Sequence, residues 1–258
     1  MSLKRLGKLI QTANTKQAPE KLFLNAYNDV VVKGRENRPP SNRYKPSSLG
    51  GCLRNIYFQR ITAPTDKAET LEPELVEMGE NGTDRHERIQ EKVMRMKELG
   101  HDVEWIDVEE FLKRRPVEGT KVVQRVGPEV KLYNETYNIS LMCDGIVKIE
   151  GVYYVLEIKT EISFKWQGRG EPDEKHRTQA ATYSLVLNIP RVLFFYENRD
   201  ILKKKPYIIE IGQEEIAERV LNTIETVEEA ILTQTVPPKT DKPSECKWCN
   251  FKEECKRW

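Results

Sequence analysis

Three side chains within one short stretch, DGIVKIEGVYYVLEIK, can do chemistry together: Asp144, Glu157 and Lys159. Apolar residues alternate on either side of Glu150-Gly151, the pattern of two strands joined by a tight hairpin turn. Side chains alternate faces along a strand, so Glu157 and Lys159 share one side while Leu156 and Ile158 share the other. Asp144 belongs to the paired strand and can converge on them. Carboxylates held close at a sheet edge repel one another unless a cation lies between them. Hard oxygen ligands of this kind suit Mg²⁺ or Mn²⁺, and a metal site for phosphodiester hydrolysis is the expectation that follows. A solvated strand face with a Glu–Lys ion pair accounts for the same residues. Acids two residues before a lysine recur at Glu245/Lys247, Glu254/Lys256 and Asp173/Lys175. Only Glu157/Lys159 lies in an apolar strand with an aspartate at hairpin distance.

A second group is the cysteines of the tail. Cys246, Cys249 and Cys255 follow C-x2-C-x5-C, and thiols so closely spaced in a short segment point to a bound metal. A tetrahedral site needs a fourth ligand. Cys52 is the best candidate, because Cys143 lies inside the core strand next to Asp144. Four thiolates accept either Zn²⁺ or an iron–sulfur cluster, and spacing leaves both open. Either would tie the two ends of the chain across a long loop and restrict the unfolded state.

The remaining sequence must position these groups. With 258 residues the chain can bury a real core, as one elaborated domain or one with appendages. Charged residues make up 32% but cancel to a net +1, so a nucleic-acid surface must arise from local segregation of charge. Residues 1–46 carry ten Lys or Arg against three acids; a helix is expected over Leu22–Val31. This segment reads equally as a flexible arm, a DNA-contacting extension or a solvated tail. Ser47, Ser48 and the following glycines can cap a helix from Leu53 to Arg60, with Cys52 at its first turn. Residues 63–72 read as a loop. Glu74–Leu99 has a helical pattern with an expected break at Asn81-Gly82. His86 then stands in the first turn of the second piece, and Ile89, Val93 and Met96 form its buried face.

Residues 103–137 read as irregular strands, with turns at Arg115-Pro116 and Gly127-Pro128. After the hairpin come a Gly-rich loop over Phe164–Pro172 and a helix over Asp173–Leu187, which places His176, Gln179 and Tyr183 on one face. Strands at Arg191–Tyr196 and Tyr207–Ile211 flank a lysine-rich loop. A helix over 213–232 buries Ile216, Val220, Ile224, Val227 and Ile231. No apolar run is long enough to span a bilayer and no basic-then-apolar leader is seen, so a soluble, cytoplasmic chain is expected.

Five elements occur together and in order: Ser47-x4-Cys52-x-Arg54 leading to Tyr57, Gly82-x3-His86, Asp144, Glu157-x-Lys159, and Gln179-x3-Tyr183 with the terminal cysteines. In these the chain resembles, over about residues 47 to 258, the RecB-type PD-(D/E)XK nucleases. The likeness is to the iron–sulfur branch that includes CRISPR adaptation nucleases, AddB and phage exonucleases. The resemblance implies an α/β, restriction-endonuclease-like core with a central mixed sheet flanked by helices and an iron–sulfur-stapled terminal subdomain. The expected parts are a basic extension (1–46), a nuclease core (47–235, with Cys52 contributing to the cluster) and a cysteine segment (236–258). His86, Asp144, Glu157 and the backbone carbonyl of Ile158 would bind catalytic Mg²⁺ or Mn²⁺.

By the same resemblance, Lys159 would orient or activate the attacking water and stabilise charge in the transition state. Gln179 and Tyr183 would position DNA and Lys159; His176 is expected to join them in substrate binding because helix spacing, not the resemblance, sets it on the same face. Cys52, Cys246, Cys249 and Cys255 would hold a structural 4Fe-4S cluster, with Zn²⁺ as the alternative. One departure is Asn250, where a proline often follows the second tail cysteine. The implied activity is exonucleolytic cleavage of single-stranded DNA or DNA ends in recombination, repair, replication or CRISPR adaptation. With no ATPase motif, a helicase, recombination or integrase partner is expected, in a host cytoplasm if the chain is phage-encoded. The rival readings are a catalytically silent DNA-binding assembly subunit and a structure-specific endonuclease. Oligomeric state is left open.

Overall fold

The structure, a computed structural model, describes residues 18–34, 41–66, 72–247 and 249–258. Parts of the basic segment 1–46 (residues 1–17 and 35–40) and of the loop expected over 63–72 (residues 67–71) lie outside the described residues. The chain divides into two compact units, one of Met1–Pro39 with Glu69–Asn81, the other of Pro40–Ala68 with Gly82–Trp258. The first unit contains α1 (Pro19–Lys33), three residues longer at its start than expected, with Pro19 at the first helical turn. None of its residues is buried.

In the second unit α2 (Pro46–Leu49) takes up Ser47 and Ser48, the expected caps of the next helix, and Cys52 immediately precedes α3 (Leu53–Arg60). Next in the chain is α4 (Pro73–Met94), which runs through Asn81-Gly82 without the expected break. One glycine weakens a helix interior by about 1 kcal/mol without ending it, and the amphipathic face carried on by Ile89 and Val93, both buried, outweighs that. His86 is therefore mid-helix. Next come β1 (Val103–Ile106) and α5 (Val108–Arg114), a helix where only strands and turns were expected. Its signal was local: the Asp107 side chain caps it, accepting from the Glu110 N–H at 3.0 Å.

Strands β2 (Thr120–Val126), β3 (Glu129–Asn134) and β4 (Ile139–Cys143) form one antiparallel sheet. The expected hairpin follows as β5 (Gly145–Ile149) and β6 (Val152–Glu161). Glu150 and Gly151 have φ of 48° and 83°, the left-handed pair that a two-residue hairpin turn requires. A short α6 (Ser163–Gln167) interrupts the expected loop over Phe164–Pro172, and α7 (Glu174–Leu187) matches its expected span. These helices bridge β6 to its parallel neighbour β7 (Arg191–Asn198), which pairs antiparallel with β8 (Lys204–Glu210); a parallel pair needs such a crossover. The larger sheet is thus mixed, in the order β1-β5-β6-β7-β8.

The expected 213–232 helix is present as α8 (Gln213–Ile216), a π-turn over Ala217–Leu221 and α9 (Asn222–Leu232). Ile216, Val220, Ile224 and Val227 are buried, while Ile231 is half-buried. The tail holds α10 (Pro243–Lys247) and α11 (Lys252–Lys256).

Period-two alternation along β6 divides the core between the sheet's two faces. Val155 joins Phe194 and Tyr196 beneath Ala180, Ala181 and Tyr183 of α7. Leu156 and Ile158 join Leu193 and Phe195 beneath Ile89 and Val93 of α4. The sheet is thereby flanked by helices on both faces. Among the described residues no helix is long and apolar enough to cross a membrane.

Gly145 lets β5 pass under the Trp105 indole, where an added Cβ would overlap the ring. Gly145→Ala is expected to destabilise the protein by about 1–3 kcal/mol. A denaturant titration with an unshifted midpoint would show that the indole is free to move aside.

Candidate metal centre

Asp144 is the single residue between β4 and β5, where the chain leaves one sheet and enters the other. It stands one step beyond the hairpin ladder rather than within the paired strand as expected. Three bonds hold it from three directions. Oδ2 accepts from the Ile158 N–H at 2.7 Å, and its main-chain carbonyl accepts from the buried Gln90 Nε2 at 2.7 Å. Oδ1 lies 3.4 Å from His86 Nδ1. His86 and Gln90 are one turn apart on α4, so a single helix face supplies both. In a strand the N–H and C=O of one residue point the same way, which directs the Ile158 carbonyl to the side of Asp144.

A third group enters that sequence reasoning missed. Val130 pairs with Cys143 in the β3–β4 register, which sets Glu129 across from Asp144. Its Oε1 lies 3.4 Å from His86 Nδ1. Ligand atoms of His86, Glu129 and Asp144 all fall within 4.8 Å of one another. The only signal in the sequence was an acid directly after the Gly127-Pro128 turn; its relevance depends on a register.

Glu157 is buried and lies outside that trio. Its Oε1 accepts from Lys159 Nζ at 2.5 Å, while its Oε2 is buried with no hydrogen-bond partner. Lys159 Nζ also donates to Gln179 Oε1 at 2.8 Å, Gln179 Nε2 donates to Tyr183 Oη at 3.1 Å, and Tyr183 Oη donates to the Met142 carbonyl at 3.4 Å. The ammonium is therefore held in place. His176, expected on the same face, makes a different bond, its Nδ1 lying 2.6 Å from Tyr196 Oη.

The charge states follow from these neighbours. Burial disfavours the His86 cation, but Asp144 and Glu129 overcome it and raise the pKa to about 10. Burial, opposed by Lys159 and reinforced by Asp144, pushes Glu157 up to about 7. Burial and then Lys159 hold His176 down to about 4, so its ring is neutral. Burial, aided by Glu157 and Asp144, raises Tyr183 well above the usual phenol range and keeps it a hydrogen-bond donor.

These residues fit a divalent cation. They offer carboxylate oxygens, an imidazole and the buried Glu157 carboxylate, a donor set suited to Mg²⁺ or Mn²⁺. The cysteines fit a thiolate-bound group in their own way. Cys52, Cys246, Cys249 and Cys255 line one cavity of about 310 Å³ together with Arg54, Asn55 and Phe58. Asn55 Nδ2 donates to Cys249 Sγ at 3.2 Å, the Phe251 N–H to the same sulfur at 3.4 Å, and Arg54 Nη1 to Cys255 Sγ at 3.5 Å. Donors aimed at sulfur stabilise thiolate charge.

No protein-family model and no curated protein matches the chain. Among solved structures, that of SSO0001 is 18% identical with a TM-score of 0.49, covering 91% of this chain and 96% of its own. An alkaline exonuclease (LHK-Exo) from Laribacter hongkongensis is 14% identical with a TM-score of 0.42, covering 89% and 98%. The complex of LHK-Exo with dAMP is 14% identical with a TM-score of 0.37, covering 84% and 95%. Likeness at this level assigns no activity, and the functional reading rests on the residues themselves.

A cation entering beside His86 must displace its proton. Because that pKa is raised to about 10, binding releases a proton throughout the neutral range. Mn²⁺ affinity is therefore expected to rise by about tenfold per pH unit between about pH 7 and 9, as read by calorimetric titration. Affinity independent of pH would remove His86 from the ligands.

Proposed function

We propose that the chain is a metal-dependent DNA nuclease of the PD-(D/E)XK kind, acting as an exonuclease on single strands or DNA ends. One observation carries this reading: a His–Asp–Glu cluster converging at a strand junction beside a buried Glu157 carboxylate and a pinned lysine. A structural ion pair needs no such cluster.

His86, Asp144, Glu157 and the Ile158 carbonyl are the proposed ligands for Mg²⁺ or Mn²⁺, with Glu129 added to them. Such an ion would supply a Lewis acid for the phosphodiester and a nucleophile from water at neutral pH. Lys159, held by Glu157 and Gln179, presents positive charge where negative charge grows on the phosphate. Its fixed position means little reorganisation is required as that charge develops. Gln179 sets the ammonium, and Tyr183 sets Gln179. His176, uncharged, offers its remaining ring nitrogen to the substrate without adding to the local charge. Cys52, Cys246, Cys249 and Cys255 are proposed to hold a 4Fe-4S cluster that ties residues 236–258 to the core over 47–235, with residues 1–46 as an extension.

Two experiments test this. Anaerobically purified protein with Mg²⁺ or Mn²⁺ is expected to degrade linear single-stranded DNA and spare the covalently closed circle. Lys159→Ala should lower the rate by roughly 10²–10³-fold while still binding Mn²⁺. Cutting of the circle would make it an endonuclease. No cleavage by well-folded protein would favour a silent DNA-binding assembly subunit. In the second, Cys249→Ala is expected to lose its brown colour and bound iron and to melt at lower temperature. Iron content unchanged in that variant contradicts the ligand set, and zinc in place of iron in the parent contradicts the cluster.

A further inference from the structure

Glu197 on β7 has no exposed surface, yet three cations converge on it. Arg85 Nη1 and Arg88 Nη2 reach its Oε1 at 2.9 and 2.6 Å, and Lys204 Nζ lies 2.8 Å from Oε2. Arg85 also donates through Nη2 to the Arg199 carbonyl at 3.1 Å. One carboxylate against three cations leaves an excess of two positive charges, and the neighbouring Asp200, which also faces Arg85, is offset by Arg199. A single arginine would suffice to neutralise a buried acid or to pin the helix. The cations also remain open to solvent, their side chains being 25%, 36% and 33% exposed for Arg85, Arg88 and Lys204. A guanidinium carries five N–H donors, so each arginine can hold Glu197 with one edge and present another outward.

The location gives this excess a use. Arg85 and Arg88 bracket His86 on one turn of α4. Glu197 is in register with Thr160, the residue after Lys159. Alternation puts Lys159 and Tyr196 on the α7 face and Thr160 and Glu197 on the α4 face. The three cations therefore lie at the same strand ends as the candidate metal centre, around the edge from Lys159.

We propose that Arg85, Arg88 and Lys204, organised by the buried Glu197, form a preset phosphate subsite that grips the DNA backbone beside the scissile bond. The proposal rests on the nuclease reading and extends it. Backbone phosphates are spaced along a strand, so a strand cleaved at the metal centre must place neighbouring phosphates against these strand ends. Side chains already fixed lose little freedom on meeting an anion, and the arginine fork matches phosphate geometry. Interactions of this kind position the strand without reading its sequence.

The test uses Arg88→Gln, Lys204→Gln and the double variant, with Lys113→Gln on α5 as a control of equal charge change. Binding of a fluorescent oligothymidylate is measured with Ca²⁺ in place of Mg²⁺ over a series of KCl concentrations. Removing one cation that pairs with a phosphate should reduce the slope of log K against log salt by about 0.7 for a single strand. The double variant should therefore show a slope smaller by about 1.4. Mn²⁺ affinity without DNA should stay unchanged, and the control should keep the wild-type slope. An unchanged slope in the double variant, with wild-type protein binding the oligonucleotide, overturns the subsite. A fall in Mn²⁺ affinity with the slope intact does the same, because the cluster then serves only to hold His86. Wild-type protein that binds no oligonucleotide and cleaves none defeats the nuclease reading itself, which keeps the two failures apart.

Discussion

The candidate site depends on how one aspartate is held. Asp144 occupies the single residue between two sheets, and everything polar nearby is arranged about it. The Ile158 N–H fixes one carboxylate oxygen, and Gln90 fixes the main-chain carbonyl. The second oxygen is left turned to His86. A buried hydrogen bond to a charged group contributes about 1.5–3 kcal/mol, enough that the carboxylate has one orientation rather than several. Gly145 follows at once because the next residue must slide under the Trp105 ring. The junction is thus determined by sterics on one side and by hydrogen bonds on the other.

Around that junction charges are confined where water cannot screen them well. Glu157 is buried, with Lys159 on one oxygen and the Tyr183 hydroxyl beside the carboxylate. Burial chiefly, with Asp144 adding to it, raises the Glu157 pKa, while two carboxylates raise that of His86. The proposed divalent cation would relieve both, replacing the His86 proton and lying against the Glu157 carboxylate. Lys159 is kept out of that exchange by Gln179, whose amide in turn is anchored through Tyr183 to the Met142 carbonyl. Farther along the strand ends, Glu197 shows the opposite imbalance, with more cation than carboxylate. Acceptors in excess at the junction and donors in excess beside it are the complementary surfaces that the proposed metal and polyanion would require.

Much of this was legible in the chain because the signals were local. The Glu150-Gly151 turn, the alternation along Val152–Glu161 and the spacing of Gln179 and Tyr183 each needed only a few residues. The helix over Val108–Arg114 was as local, announced by Asp107 three residues before Glu110, and was hidden among residues that otherwise alternate. The break expected at Asn81-Gly82 is absent, since a glycine's penalty is small beside a continuous apolar face. Glu129 and Gln90 were not readable at all. One matters through the β3–β4 register and the other through the docking of α4 on the sheet, and neither property belongs to a window of sequence. Glu197 looked like one acid among many for the same reason. Its burial and its two arginines come from elements more than a hundred residues apart.

The central claim is that a divalent cation sits at the Asp144 junction. Crystals grown with Mn²⁺ and measured at an energy where manganese scatters anomalously test it most directly. The account predicts an anomalous peak within coordination distance of His86, Asp144 and Glu157, with Glu129 or the Ile158 carbonyl completing the set. A peak bound elsewhere, or none at a concentration that saturates the protein in solution, would contradict it.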